Sequence, residues 1–147
     1  MTIRILLADD DATIRMLLKR LLEANPNWQI CGEARDGIDA VQKVLQDSPD
    51  LIIMDLSMPR MNGLDAGREI AKLQPQLPML LCTVQQIEEP GVQDICDAGF
   101  RGIVTKENGA EVVAGVQALL NGETRYFNNP FSSSGIPERE IRTNRCL

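Results

Sequence analysis

Four short stretches hold the residues able to do chemistry. Asp9-Asp10-Asp11 follows the apolar run Ile3–Ala8, Asp55 closes Leu51-Ile52-Ile53-Met54, Thr83 ends the run that begins at Pro78, and Lys106 comes directly after Gly102–Thr105. If those runs are strands ending on one rim, three carboxylates converge there. Two like charges ~4 Å apart at an effective dielectric of ~20 repel by about 4 kcal/mol. Ionised Asp9, Asp10 and Asp55 therefore need a raised pKa or a cation in their cleft. Carboxylates with a backbone carbonyl and waters suit Mg²⁺, a hard ion that takes few carboxylate ligands alongside phosphate oxygens. Lys106 adds a fixed positive charge, and the Thr83 hydroxyl can donate to an oxyanion. A nucleophilic carboxylate, a cation and a hydroxyl donor on one rim meet the needs of phosphoryl transfer to an aspartate: neutralised charge and in-line positioning. Taken singly, each residue has an ordinary reading. A charge run at a strand end is commonly a solvated loop, Asp11 suits the N-cap of a following helix, threonine is common in strands, and most lysines are on the surface.

Position is thus the argument, and it depends on the elements. Five strand-length apolar runs, Ile3–Ala8, Gln29–Ala34, Asp50–Asp55, Pro78–Thr83 and Gly102–Thr105, alternate with helical patterns up to about residue 122. The first, third and fourth runs are apolar throughout, as in strands covered on both faces. Ile14, Leu17, Leu18, Leu21 and Leu22 form one helical stripe; Ile38, Val41 and Leu45 form a second, with Asp36 as N-cap and Ser48-Pro49 as stop. A third helix spans Gly63 to Leu73. Pro90 and Gly91 set the start of the fourth at or after Glu89, since proline fits only the first turn. The last runs from Asn108 to Asn121, capped by Asn108 and Gly122. Strand–helix repeats of this kind imply parallel pairing with right-handed crossovers. The expected fold is α/β: a flavodoxin-like, doubly wound, five-stranded parallel sheet in the order 2-1-3-4-5, with ligands at the carboxyl ends of the strands. Residues 1–127 read as the domain. Residues 128–147 read as a polar, disordered tail without an output domain.

Composition narrows the function classes. The 147 residues carry 15 Lys+Arg against 21 Asp+Glu, a net charge of −6, the wrong sign for a domain that binds nucleic acid by neutralising phosphates. No direct nucleic-acid binding is expected. Cys31, Cys82, Cys96 and Cys146 form no CxxC pair, and the chain has no histidine, so a zinc site is excluded and the thiols read as reduced. The longest uncharged stretch, Leu73 to Ile87, contains Pro75 and Pro78, and the N-terminus meets its acidic cluster after Ala8. Neither a membrane span nor a signal peptide fits, and a cytoplasmic protein is expected.

The site residues sit within a wider pattern. Ile5-Leu6-Leu7-Ala8-Asp9-Asp10 with Arg15, Gly32-Glu33-Ala34 with Asp36-Gly37, Pro49-Asp50, Met54-Asp55-Leu56-Ser57-Met58-Pro59, Asn62-Gly63-Leu64, Thr83, and Ala98-Gly99-Phe100-Arg101-Gly102 with Lys106 spread over roughly residues 1–126. This pattern resembles the receiver domain of two-component response regulators, and is most similar to the NarL/FixJ type. The resemblance implies that Asp55 accepts a phosphoryl group from a histidine kinase, a phosphotransfer protein or acetyl phosphate. It also implies Mg²⁺ held by Asp10 directly, by Asp9 through water, by Asp55 and by the Ser57 carbonyl. Thr83 and Lys106 would contact phosphoryl oxygens, and the change would be passed to a downstream protein effector. Such a domain is no metabolic enzyme; it catalyses only its own phosphorylation and dephosphorylation.

Three positions depart from the family pattern. Val84 stands where a small residue is usual, which implies restricted access and slower turnover. Ile103 replaces the usual switching aromatic, and Glu107 follows Lys106 where many relatives have proline. A monomer or weak homodimer is expected. The alternative reading is a truncated NarL-type transcriptional regulator lacking its helix-turn-helix domain. A pseudo-receiver is disfavoured by the complete site set, and a flavin carrier by the 3% aromatic content.

Overall fold

The computed structural model describes residues 1–84 and 87–126. The strands are β1 (Ile3–Ala8), β2 (Trp28–Ala34), β3 (Leu51–Met54), β4 (Met79–Thr83), β5 (Gly102–Thr105) and β6 (Arg125–Tyr126). The helices are α1 (Ala12–Glu23), α2 (Gly37–Asp47), α3 (Gly63–Leu73), α4 (Glu89–Asp97) and α5 (Gly109–Leu120). All strand pairs are parallel, in the order β2-β1-β3-β4-β5-β6. The expected order of the first five holds, and a sixth strand extends the sheet. Arg125–Tyr126 is too short to show an alternating pattern. It is fixed by the Arg125 amide donating to the Arg101 carbonyl at 2.9 Å, and by the buried Tyr126 hydroxyl donating to the Phe100 carbonyl at 2.9 Å.

The uniform apolarity of the inner strands has a direct cause: each buries both faces. Leu6, Ala8, Ile52, Met54 and Leu81 point to a core closed by α2, α3 and α4, while Ile5, Leu7, Leu51, Ile53, Leu80 and Cys82 point to one closed by α1 and α5. Period-2 alternation thus feeds two cores from one set of strands. In α1, Leu18 and Leu22 are buried, each contributing about 1.5–3 kcal/mol of transfer free energy, whereas Leu17 is half exposed. In α2 the buried line is Gly37, Ala40 and Val44. Leu45, expected on the inner face, is exposed, because the face turned to the sheet is the one that carries Gly37, Ala40 and Val44.

The caps Asp11, Asp36 and Asn108 fall where the sequence places them, and Asn62 adds one at the start of α3. Asp11 accepts from the Thr13 and Ile14 amides, Asp36 from Asp39, Asn62 from Asp65, and Asn108 from Ala110 and Glu111. Gly122 has φ +81°, the left-handed conformation that ends α5 cheaply in glycine. Cys31 and Cys82 are free thiols as expected; Cys96 is disulfide-bonded, contrary to expectation. Cys146 and the predicted tail 128–147 lie outside the described residues. Among the described residues no helix is long and apolar enough to cross a membrane.

Candidate functional site

The parallel sheet delivers the polar residues to one rim. The Asp9 amide donates to the Ala34 carbonyl at 3.0 Å, the Asp55 amide to the Ala8 carbonyl at 2.8 Å, and the Lys106 amide to the Thr83 carbonyl at 3.1 Å. Each site residue is therefore held by the last ladder bond of its neighbouring strand. Gly63, at the start of α3, lies so close to the Asp55 carbonyl that no Cβ fits between them, and its amide donates to the Leu56 carbonyl at 2.8 Å. This folds the loop after β3 back over the strand end and brings Ser57 to the cleft.

Lys106 is the hub. Its Nζ lies 2.7 Å from Asp9 Oδ2 and 3.3 Å from Asp55 Oδ2, with the three side chains between 5% and 9% exposed. Asp9 Oδ1 accepts from the Asp11 amide at 2.9 Å, so both Asp9 oxygens are engaged. Asp10 is exposed, and carboxylate oxygens of Asp9, Asp10 and Asp55 lie within 4.8 Å of one another. A cleft of ≈ 360 Å³ opens above them, lined by Asp10, Asp11, Ile14, Asp55, Ser57, Thr83, Val84 and Lys106.

Electrostatics follow from this crowding. Burial raises the Asp55 pKa above its ordinary value and the charge of Asp9 adds to the rise, while Lys106 and the Ser57 amide oppose it. Burial pulls the Lys106 ammonium down, but the hydrogen bond to Asp9 and the charges of Asp55 and Asp9 outweigh it, so its pKa ends above the usual lysine range. One ammonium among three carboxylates leaves the cluster anionic. An all-oxygen donor set with residual negative charge fits a hard divalent cation such as Mg²⁺. Beneath the rim, burial pushes the Cys82 thiol up to about 12, so it is inert at neutral pH.

All six sequence-predicted residues, Asp9, Asp10, Asp55, Ser57, Thr83 and Lys106, gather at this rim, and Asp11 serves as the cap of α1. Sequence reasoning missed the contacts that hold the surrounding loops. Arg60, with φ +65°, donates from Nε to Asp36 Oδ2 at 2.9 Å, and the Gly37 amide donates to the Met61 carbonyl at 2.9 Å, tying the loop after β2 to the loop that carries Ser57. Arg15 reaches back from α1 to the Asp9 carbonyl at 2.6 Å. Arg15 and Asp36-Gly37 stand in the family pattern, but nothing in the sequence names the carbonyl or side chain that each reaches.

The described residues thus form a parallel α/β unit with five helices, whose strand ends carry an acidic rim and one lysine. The family model for the response regulator receiver domain matches residues 5–117, and the chain belongs to that family. Chemotaxis protein CheY of Bacillus subtilis is 34% identical over 80% of this chain and 98% of its own length. A protein-glutamate methylesterase/protein-glutamine glutaminase of Pyrococcus abyssi is 37% identical over 95% of this chain but only 32% of its own length. The chain spans about a third of the methylesterases it matches. Among solved structures, a LuxR-family two-component response regulator from Aurantimonas sp. superposes with a TM-score of 0.84 at 30% identity, covering 96% of this chain and 99% of that one. The response regulator domain of Thermotoga maritima CheB gives 0.73 at 28% identity, covering 83% and 96%.

Proposed function

We propose that this receiver domain, residues 1–127, is a Mg²⁺-dependent phosphoacceptor at Asp55 that acts as a phosphorylation-controlled switch for a protein partner in a two-component relay. The observation that carries the reading is Lys106 Nζ bridging Asp9 and Asp55 at the open rim. It holds a buried carboxylate beside a fixed cation in a cleft wide enough for a phosphoryl group. An Asp55 Oδ attacks phosphorus of a phosphohistidine or of acetyl phosphate. The P–N or P–O bond breaks, its electron pair leaving on imidazole or acetate. Lys106 then exchanges its contact with Asp55 for a phosphoryl oxygen, and the Thr83 hydroxyl donates to another. Asp10 and Asp55 with the Ser57 carbonyl would hold Mg²⁺, and Asp9, whose oxygens are already engaged, would act through water; the ion supplies charge neutralisation at the phosphoryl oxygens. The aspartyl phosphate, dianionic and rich in acceptors, biases the loop between β4 and α4 that the effector reads.

The test is intact-protein mass spectrometry after incubation with acetyl phosphate and Mg²⁺. A phosphoryl adduct is expected on the parent protein and not on Asp55→Asn. An adduct absent from the parent, or retained by Asp55→Asn, would overturn the assignment. A second reading is favoured by one match: the transcriptional regulatory protein LiaR of Bacillus subtilis is 34% identical over 84% of this chain and 58% of its own length. In that reading the chain is the receiver half of a NarL-type regulator, and sequencing past the codon for Leu147 separates the two.

A further inference from the structure

We propose that Arg15 is the positioning residue for the metal-binding acidic pair, and that its fork sets divalent-ion affinity by fixing the peptide between Asp9 and Asp10. The inference rests on the reading of Asp9, Asp10 and Asp55 as the metal site. The Arg15 guanidinium lies on α1, only 12% exposed, and makes two directed contacts. Nε donates to Glu33 Oε1 at 2.9 Å, and Nη1 donates to the Asp9 carbonyl at 2.6 Å. Glu33 is anchored in turn, since it lies in β2 opposite Leu7 and its carbonyl accepts from Lys43 Nζ.

The consequence for Asp10 is geometric. A peptide unit is planar, so the direction of the Asp9 carbonyl also fixes the Asp10 amide and the start of the Asp10 backbone. The Asp9 carboxylate is separately held by the Asp11 amide and Lys106. Asp10, by contrast, is exposed and lines the cleft, and its placement depends on the backbone that Arg15 grips. A planar fork can serve a carboxylate and a carbonyl at once; a lysine ammonium at the same place is a point charge on a flexible stem. Loss of partners that orient metal ligands typically weakens affinity by about 10- to 100-fold.

The experiment measures Mn²⁺ binding by the full chain by electron paramagnetic resonance, with Mn²⁺ standing in for Mg²⁺, and thermal stability alongside. Arg15→Gln is expected to raise the Mn²⁺ dissociation constant at least about 10-fold, with Arg15→Lys recovering part of it and the phosphorylation rate returning at high Mg²⁺. Arg68→Gln, which breaks the exposed pair with Asp65, is expected to bind as the parent does. A merely structural Arg15 would lower the melting temperature and leave affinity unchanged, which would overturn the inference. Should Arg15→Gln not fold, Glu33→Gln carries the test: a smaller weakening in the same direction is expected, and parental affinity would overturn the proposal. If the parent itself binds no Mn²⁺, the metal-site reading falls and this inference with it; if the parent binds and Arg15→Gln binds equally, only this inference falls.

Discussion

Val84 stands 59% exposed at the mouth of the cleft, next to the buried Thr83. Its branched side chain lines the cleft that a water or phosphodonor would enter to reach Asp55, so Val84→Ala is expected to speed loss of the aspartyl phosphate. A gain of roughly 2- to 10-fold corresponds to at most ~1.4 kcal/mol of barrier. Following the phosphoprotein by mass spectrometry over time checks this, and an unchanged half-life would rule out a gating role. The site residues were legible because a charged or hydroxyl side chain directly ending an apolar run must emerge at the strand's tip. Asp9, Asp55, Thr83 and Lys106 all follow that logic. Arg15 did not, since nothing in an arginine on a helix says which carbonyl it will reach. Leu17 and Leu45 misled for a related reason: leucine at a helical spacing marks a stripe without fixing where its edge meets solvent.

Among the elements, the loops that precede α2 and α3 act as one. Asp36 caps α2 through the Asp39 amide and pairs with Arg60, whose left-handed backbone carries a conformational cost. The hydrogen bond from Arg60, followed by that from the Asp39 amide, holds the Asp36 carboxyl below its ordinary value of 3.8. A depressed carboxylate contributes stability that is fully present above its unfolded pKa and is lost as pH falls through the lower folded value. Asp36→Asn keeps a good capping residue while removing the charge. It is expected to be less stable than the parent above about pH 4, with the gap closing as the solution becomes more acidic. Because Arg60 is largely exposed, solvent screens the pair and the gap is small. Urea denaturation at several pH values measures it; a gap independent of pH would contradict the pairing. The start of α4 was readable from Pro90, and the span of α3 from its apolar pattern. The extra strand was not, because its two residues owe their place to partners on β5 and to the Tyr126 hydroxyl.

For the molecule as a whole, the two cores flank a sheet whose rim concentrates negative charge, in a chain whose net charge is already −6. A cation that binds this rim only in the folded state stabilises folding by linkage, about 2.7 kcal/mol at a hundredfold excess over its dissociation constant. Mg²⁺ at that excess is expected to raise the melting temperature by roughly 5–10 °C, since ~1 kcal/mol shifts a domain of this size by about 2–4 °C. Asp10→Asn is expected to lose most of the shift. Differential scanning calorimetry with and without Mg²⁺ decides, and an equal rise in both proteins would point to a site elsewhere. The fold class was readable at this scale because alternating strands and helices leave few ways to bury apolar runs on both faces.

The sheet also carries a built-in optical gauge. The chain has one tryptophan and one tyrosine, and both are buried: Trp28 on β2 and Tyr126 on β6. These strands are the two outer margins of the sheet. Indole emission therefore senses one flank and phenol absorbance the other, so an unlabelled sample can reveal whether opposite edges melt together or in succession.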